Sequence, residues 1–148
     1  MHHSSQPRNI DILLARYAES HRNHTNEIIH FVCIPLIVLS LLGILWAIHP
    51  VVALATTLAS LFYYIKLSPQ FAVGMGVMSA VMLGILAIMP EYTVLPVSIA
   101  VFVVAWIGQF IGHKIEGKKP SFFDDLRFLL IGPLFVLSFL YRRLNFAY

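Results

Sequence analysis

Charge is what this chain has least of. Asp, Glu, Lys and Arg make up 11% of its 148 residues, against 59% hydrophobic ones, where an ordinary soluble domain carries roughly 25% charged residues. A water-solvated surface over most of the molecule is thereby excluded. Cysteine occurs once, as Cys33, which rules out a disulfide within the chain and a thiolate metal cluster. Several catalytic signatures are also missing. The sequence has no HExxH pair, no glycine-rich phosphate loop, no GxSxG elbow and no numerous clustered HxxH-type boxes. It has no basic stripe interleaved with aromatics, so nucleic acid is not an expected partner.

What the sequence has instead is length of apolar run. Membrane spans are predicted over about 28–48, 51–67, 70–89 and 93–113, each near the roughly 20 helical residues that cross about 30 Å of hydrocarbon. The second gains its length from Leu67 and from Lys66, whose stem lies in the bilayer while its ammonium reaches the headgroups. A cleavable signal peptide is not expected, because the first apolar run follows a long charged stretch. Residues 1–10 read as a flexible terminus, in which His2 and His3 receive no role. Residues 128–141 form a fifth apolar run that is too short to cross and has Gly132-Pro133 in its middle. A re-entrant or interfacial helix over about 121–141 is the expectation. The fold class is thus all-α: a single integral membrane domain, 1–148, of four transmembrane helices, with an N-terminal interfacial helix and a C-terminal re-entrant or interfacial one.

The charges orient this bundle. All ten Lys and Arg residues lie in the N-terminal segment, around residue 66 or after residue 112, and the opposite side has only Glu91. The positive-inside rule then predicts both termini in the cytoplasm. It also brings the histidines before the first span to the same face as His113 at the end of the fourth. His49 falls on the other face, in a turn with Pro50, and reads as a boundary residue.

Two polar constellations stand at that shared face. Trp106, Gln109, His113 and Glu116 recur at three, four and three residues, one stripe of a helix, beside a small-xxx-small pair, Gly108 and Gly112, that would admit a close neighbour. The bland alternative is Trp106 as an interface anchor, Gln109 and His113 as interhelical hydrogen-bonding groups and Glu116 as a solvated end residue. In "YAESHRNHTNEIIHFVCIP", Tyr17 to Pro35, His21 and His24 lie one turn apart and so do Asn26 and His30. The two pairs face opposite sides of one straight helix. Convergence therefore requires a break near Asn23 to Asn26, where Asn23, Thr25 and Asn26 supply capping chemistry. Imidazoles with an optional carboxylate and no thiolate suit iron, zinc, nickel or copper, and with open positions suit Fe(II) oxygen chemistry.

At these residues, and in "WIGQFIGHKIEGKKPSFFDDLRFLLIGPLF" from Trp106 to Phe135, the chain resembles a family. It is that of the small membrane 2-hydroxy fatty acid dioxygenases of phytosphingosine breakdown and their bacterial relatives. The resemblance spans nearly the whole chain. It implies an Fe(II)-dependent α-oxidation in which a 2-hydroxy fatty acid and O2 give an acid one carbon shorter. It implies catalytic and metal-site positions at His21, His30 and His113. His24 is a further metal position in the branch that has histidine there, and other relatives differ at it. Asn26, Gln109, Glu116 and Pro120 match as well, and many relatives carry an acidic residue near Ser138. Lys118 and Lys119 lie where a fatty acid's carboxylate would arrive, although ordinary positive-inside charge also accounts for them. The expected partners are the substrate and membrane lipid, in a bacterial inner membrane or endoplasmic reticulum. A homo-oligomer is compatible with the sequence. Two other functions fit the histidines: a non-enzymatic transporter or assembly factor, and a zinc lipid hydrolase with Glu116 as general base.

Overall fold

The computed structural model describes residues 7–117 and 128–148, so Lys118, Lys119, Pro120 and the start of the expected 121–141 helix lie outside the described residues. Among the described residues the protein is all helix: α1 (Asn9–Glu19), α2 (His24–Ile48), α3 (Pro50–Leu67), α4 (Pro69–Ile88), α5 (Glu91–Ile115) and α6 (Ile131–Arg143). The middle four, α2 to α5, are long and apolar enough to cross a membrane. Their outward faces agree. Val73, Val77, Val81, Ile85 and Ile88 of α4 and Val103, Val104, Ile107 and Ile111 of α5 are exposed. Unbroken stripes of that kind are stable against lipid and not against water.

The helix boundaries follow local chemistry. Pro50 and Pro69 open α3 and α4 at first-turn positions, where a missing N–H costs nothing. The turn at His49 is built as expected of a boundary residue: its Nδ1 accepts from the Val51 N–H at 3.1 Å. Pro35 and Pro96 stand inside α2 and α5 without ending them, as membrane helices tolerate. Gly132 and Pro133 do not interrupt a helix. They lie in the first turn of α6, where the proline again forfeits no intrahelical bond.

Helix α2 is the centre of the bundle, packing on α3, α4, α5 and α6, while α1 packs on α6. Its closest neighbour is α5, which runs antiparallel to it, and small residues set the approach. Gly43 meets Ser98, Gly108 meets Cys33 Sγ, and Gly112 meets Asn26 Oδ1 and His30 Cε1. Lipid tails offer no hydrophobic drive for helix association, so close backbone packing is what joins such a pair. On the other side of α2, Tyr17, Ile34, Tyr64, Phe71, Met75, Leu134 and Phe135 form a core drawn from five helices.

A methyl group at Gly112 has no room, whereas one at Gly84 meets nothing. Gly112→Ala is expected to destabilise the protein by about 1–3 kcal/mol through overpacking. Gly84→Ala is expected to be neutral or to stabilise it by up to about 1 kcal/mol. Thermal unfolding of both variants in one detergent checks the contrast, and equal effects would contradict the α2–α5 packing.

Candidate metal centre

The break that the sequence requires is present. Helix α1 ends at Glu19 and α2 begins at His24, with Asn23 in extended conformation as N-cap. The Asn23 Oδ1 accepts from the Thr25 and Asn26 N–H groups at 3.0 and 3.3 Å. Two further donors of the turn, the Arg22 and Asn23 N–H groups, reach the Glu116 carboxylate at 3.0 and 2.8 Å. Asn26 Nδ2 donates to the same carboxylate at 3.0 Å and to the Ser20 carbonyl at 3.1 Å. A carboxylate at the end of α5 thus closes over the N-terminus of α2, where the helix dipole favours negative charge. Glu116, partly exposed at the end of α5, is therefore engaged in holding the turn.

With the chain bent there, His21, His30 and His113 converge, all buried, with one ligand nitrogen of each within 4.8 Å of the others. Ring centroids lie 4.2 Å apart for His21 and His30, 5.0 Å for His30 and His113 and 5.8 Å for His21 and His113. Two of the rings are oriented by backbone carbonyls four residues before them. His21 Nδ1 lies 2.6 Å from the Tyr17 carbonyl and His30 Nδ1 lies 2.8 Å from the Asn26 carbonyl. A carbonyl can only accept, so each Nδ1 carries the proton and Nε2 is the lone-pair nitrogen of the neutral ring. Metal-ligating histidines are typically braced in this way. An ion about 2.1 Å from each of two nitrogens holds them at most about 4.2 Å apart, so the set fits a metal ion after a small inward closure.

His24 is not one of the three. It is the exposed first residue of α2, on the far side of the break from His21. Of the stripe on α5, Trp106, Gln109 and His113 are all buried. Trp106 packs against Phe102 and Phe110, so the interface-anchor alternative for it does not hold. Gln109 Oε1 is buried and accepts no hydrogen bond among the described residues. It borders a cavity of about 20 Å³ with Tyr17, Ile34 and Trp106.

Sequence reasoning overlooked the aromatic wall. Tyr17 stacks on His21 at 4.1 Å, and Phe135 of α6 lies 5.6 Å from the same ring. Tyr17 was legible in principle, standing one helical turn before His21. Phe135 was not, because only tertiary packing brings α6 to the site.

Buried imidazoles converging from separate segments of a bundle with four membrane-length helices define a class, a membrane protein with a histidine centre fitted to a metal. A family model described as 2-hydroxy-palmitic acid dioxygenase Mpo1-like matches residues 8–144, and the chain belongs to that family. Among curated proteins, 2-hydroxy-palmitic acid dioxygenase MPO1 of Saccharomyces cerevisiae is 28% identical over 141 aligned residues, covering 87% of this chain and 78% of the yeast protein. No solved structure matches the chain.

The latch has a pH signature. Desolvation opposes ionisation of the Glu116 carboxyl, but donors from Asn23, Asn26 and Arg22 outweigh it and hold the group below its ordinary value of 4.5. A depressed carboxyl contributes stability that is present above the ordinary value and lost as pH falls through the folded one. Unfolding temperature is therefore expected to drop on acidification below about pH 4.5, and Glu116→Gln is expected to lower it at neutral pH and flatten that acid limb. An identical acid limb in the variant would show that the carboxylate does not hold the turn.

Proposed function

We propose that this protein is a 2-hydroxy fatty acid dioxygenase in which His21, His30 and His113 hold Fe(II). The observation that carries the reading is the braced three-histidine set in a member of this family. The yeast relative's name supplies the substrate class, a 2-hydroxylated fatty acid. When bound, Fe(II) supplies Lewis acidity and the one-electron chemistry that lets O2 react with an organic molecule. Overall, the 2-hydroxy acid and O2 become the acid one carbon shorter, CO2 and water, which balances without an external reductant.

The chain's own residues prepare this chemistry. The Tyr17 and Asn26 carbonyls fix the tautomers of His21 and His30, so both rings present a lone pair without a proton having to leave. Tyr17 and Phe135 wall the site with apolar surface and exclude water from reactive species. Gln109 Oε1, buried beside Tyr17, is an acceptor suited to the 2-hydroxyl that distinguishes the substrate from an ordinary fatty acid. Arg22 and Lys114, exposed and next in sequence to His21 and His113, put positive charge where an incoming carboxylate arrives. Lys118, assigned the same task from sequence, is outside the described residues. The hydrolase alternative is the weaker one, since its general base would be Glu116, whose oxygens already accept from three donors.

Anaerobically purified protein is expected to carry iron. It should convert 2-hydroxypalmitate only when O2 is admitted, releasing CO2 without added reductant. Turnover under strict anaerobiosis would sink the dioxygenase reading. His21→Ala, His30→Ala and His113→Ala should each lose both metal and activity, whereas His24→Ala should keep both. Full iron content in all three of the first variants would place the metal elsewhere. Both termini are assigned to the cytoplasm, and a reporter fused after Tyr148 that responds only outside the cytoplasm would reverse that orientation.

A further inference from the structure

A cavity of about 200 Å³ lies between α2, α3, α4 and the turn that precedes α6, walled by Leu41 and Leu45 of α2, Leu61 of α3, Met75 of α4 and Pro133 of α6. Three hydroxyls on its border are turned back on backbone. Thr57 donates to the Ala53 carbonyl at 2.9 Å, Ser60 to that of Thr56 at 2.9 Å, and Tyr64 to that of Leu130 at 2.8 Å. What these residues offer the cavity is hydrocarbon, and a space so lined takes an apolar occupant and stays dry without one.

A smaller, separate cavity lies nearer the histidines. This small cavity, beside Gln109, shares Leu129 with the large one. Tyr17, on the small cavity, stacks on His21, and Gln109 is one turn from His113. Along α2 the order is His30, then Ile34 and Ile37 on the small cavity, then Val38 to Leu45 on the large one. From His30 to Leu45 the helix rises roughly 22 Å, which exceeds the roughly 15 Å that one leaflet contributes to a hydrocarbon core. Thr56, which is exposed on α3, also borders the large cavity.

We propose that this cavity binds the alkyl chain of the substrate, which passes Leu129 with its carboxyl end at the histidines and its methyl end toward Leu45 and Thr57. The assignment rests on the dioxygenase reading. If a methylene takes about the volume of a water, about 30 Å³, the cavity holds on the order of six or seven of them. Long chains thus gain binding here that short ones cannot reach, and the cavity sets chain-length preference.

The test fills the cavity at two independent buried positions, Thr57→Phe and Ser79→Leu, in iron-loaded protein. The ratio of kcat/KM for 2-hydroxypalmitate to that for 2-hydroxyhexanoate should fall by about tenfold or more, with short-chain turnover and iron content kept. An unchanged ratio in both folded variants overturns the proposal. Wild-type protein supplies a second readout that needs no variant to fold. A 2-hydroxy fatty acid with a photoreactive group at its methyl end should label Leu42 or Leu45 at the cavity, and labelling confined to lipid-facing Val77 and Val81 would overturn it. If wild type turns over neither acid, the dioxygenase reading fails, while the labelling pattern still decides whether the cavity holds an alkyl chain.

Discussion

The arrangement depends on how the N-terminus of α2 is satisfied. A helix brings N–H groups at its start that no residue of its own helix can pair, and leaving them unpaired where packing excludes water costs free energy. Here Asn23 caps two of them, and the Glu116 carboxylate takes the N–H groups of Arg22 and Asn23 together with the Asn26 amide. Because that carboxylate belongs to the end of α5, one set of hydrogen bonds fixes the bend before α2 and the vertical register of α5 against it. The bend turns His21 back toward His30, and the register delivers His113. Without a shared anchor the three imidazoles would be set by two loosely related segments.

Asn26 links this anchor to the histidine cluster. Its side chain donates to Glu116, its carbonyl accepts from His30 Nδ1, and its Oδ1 lies against Gly112 one residue before His113. A larger residue than glycine would press on Asn26 and His30 together. Thus the small-xxx-small pair does more than let two helices approach. Gly108 receives the bulk of Cys33, and Gly112 receives the residue that braces one ligand and is tied to the helix carrying another.

Much of this was legible in the sequence. Four apolar runs gave four helices of membrane length, because hydrocarbon thickness leaves few alternatives for such runs. The opposed faces of His21 and His30 required a break, and the Asn-rich stretch between them showed where. The burial of Gln109 and His113 followed from their stripe beside two glycines. The remainder depended on contacts that periodicity does not encode. Gly132-Pro133 read as an interruption because the start of α6 could not be located, and proline has opposite meanings in a helix interior and in its first turn. His24 was indistinguishable by type from His21, since which side of a cap a residue occupies is decided by the turn. Phe135 and the cavity walls arise from packing among α2, α3, α4 and α6, which local sequence does not set.

Two faces of α2 now carry two different tasks. Toward α5, small residues bring backbones close and Asn26 Nδ2 and His30 Nδ1 are held by hydrogen bonds, which gives the rigidity that a histidine ligand set would need. Toward α3 and α4, larger aliphatic side chains leave space, and the hydroxyls of Thr57 and Ser60 are bonded to their own helix. A membrane enzyme acting on a lipid faces this division of necessity: the reacting end of its substrate is polar and the rest has the same chemistry as the solvent. Binding energy for the alkyl chain cannot come from leaving water once the chain is already in the bilayer, so it must come from van der Waals contact in a fitted space. A cavity with fixed walls supplies that contact, whereas an open groove facing mobile lipid would exchange one set of methylene contacts for another at little gain.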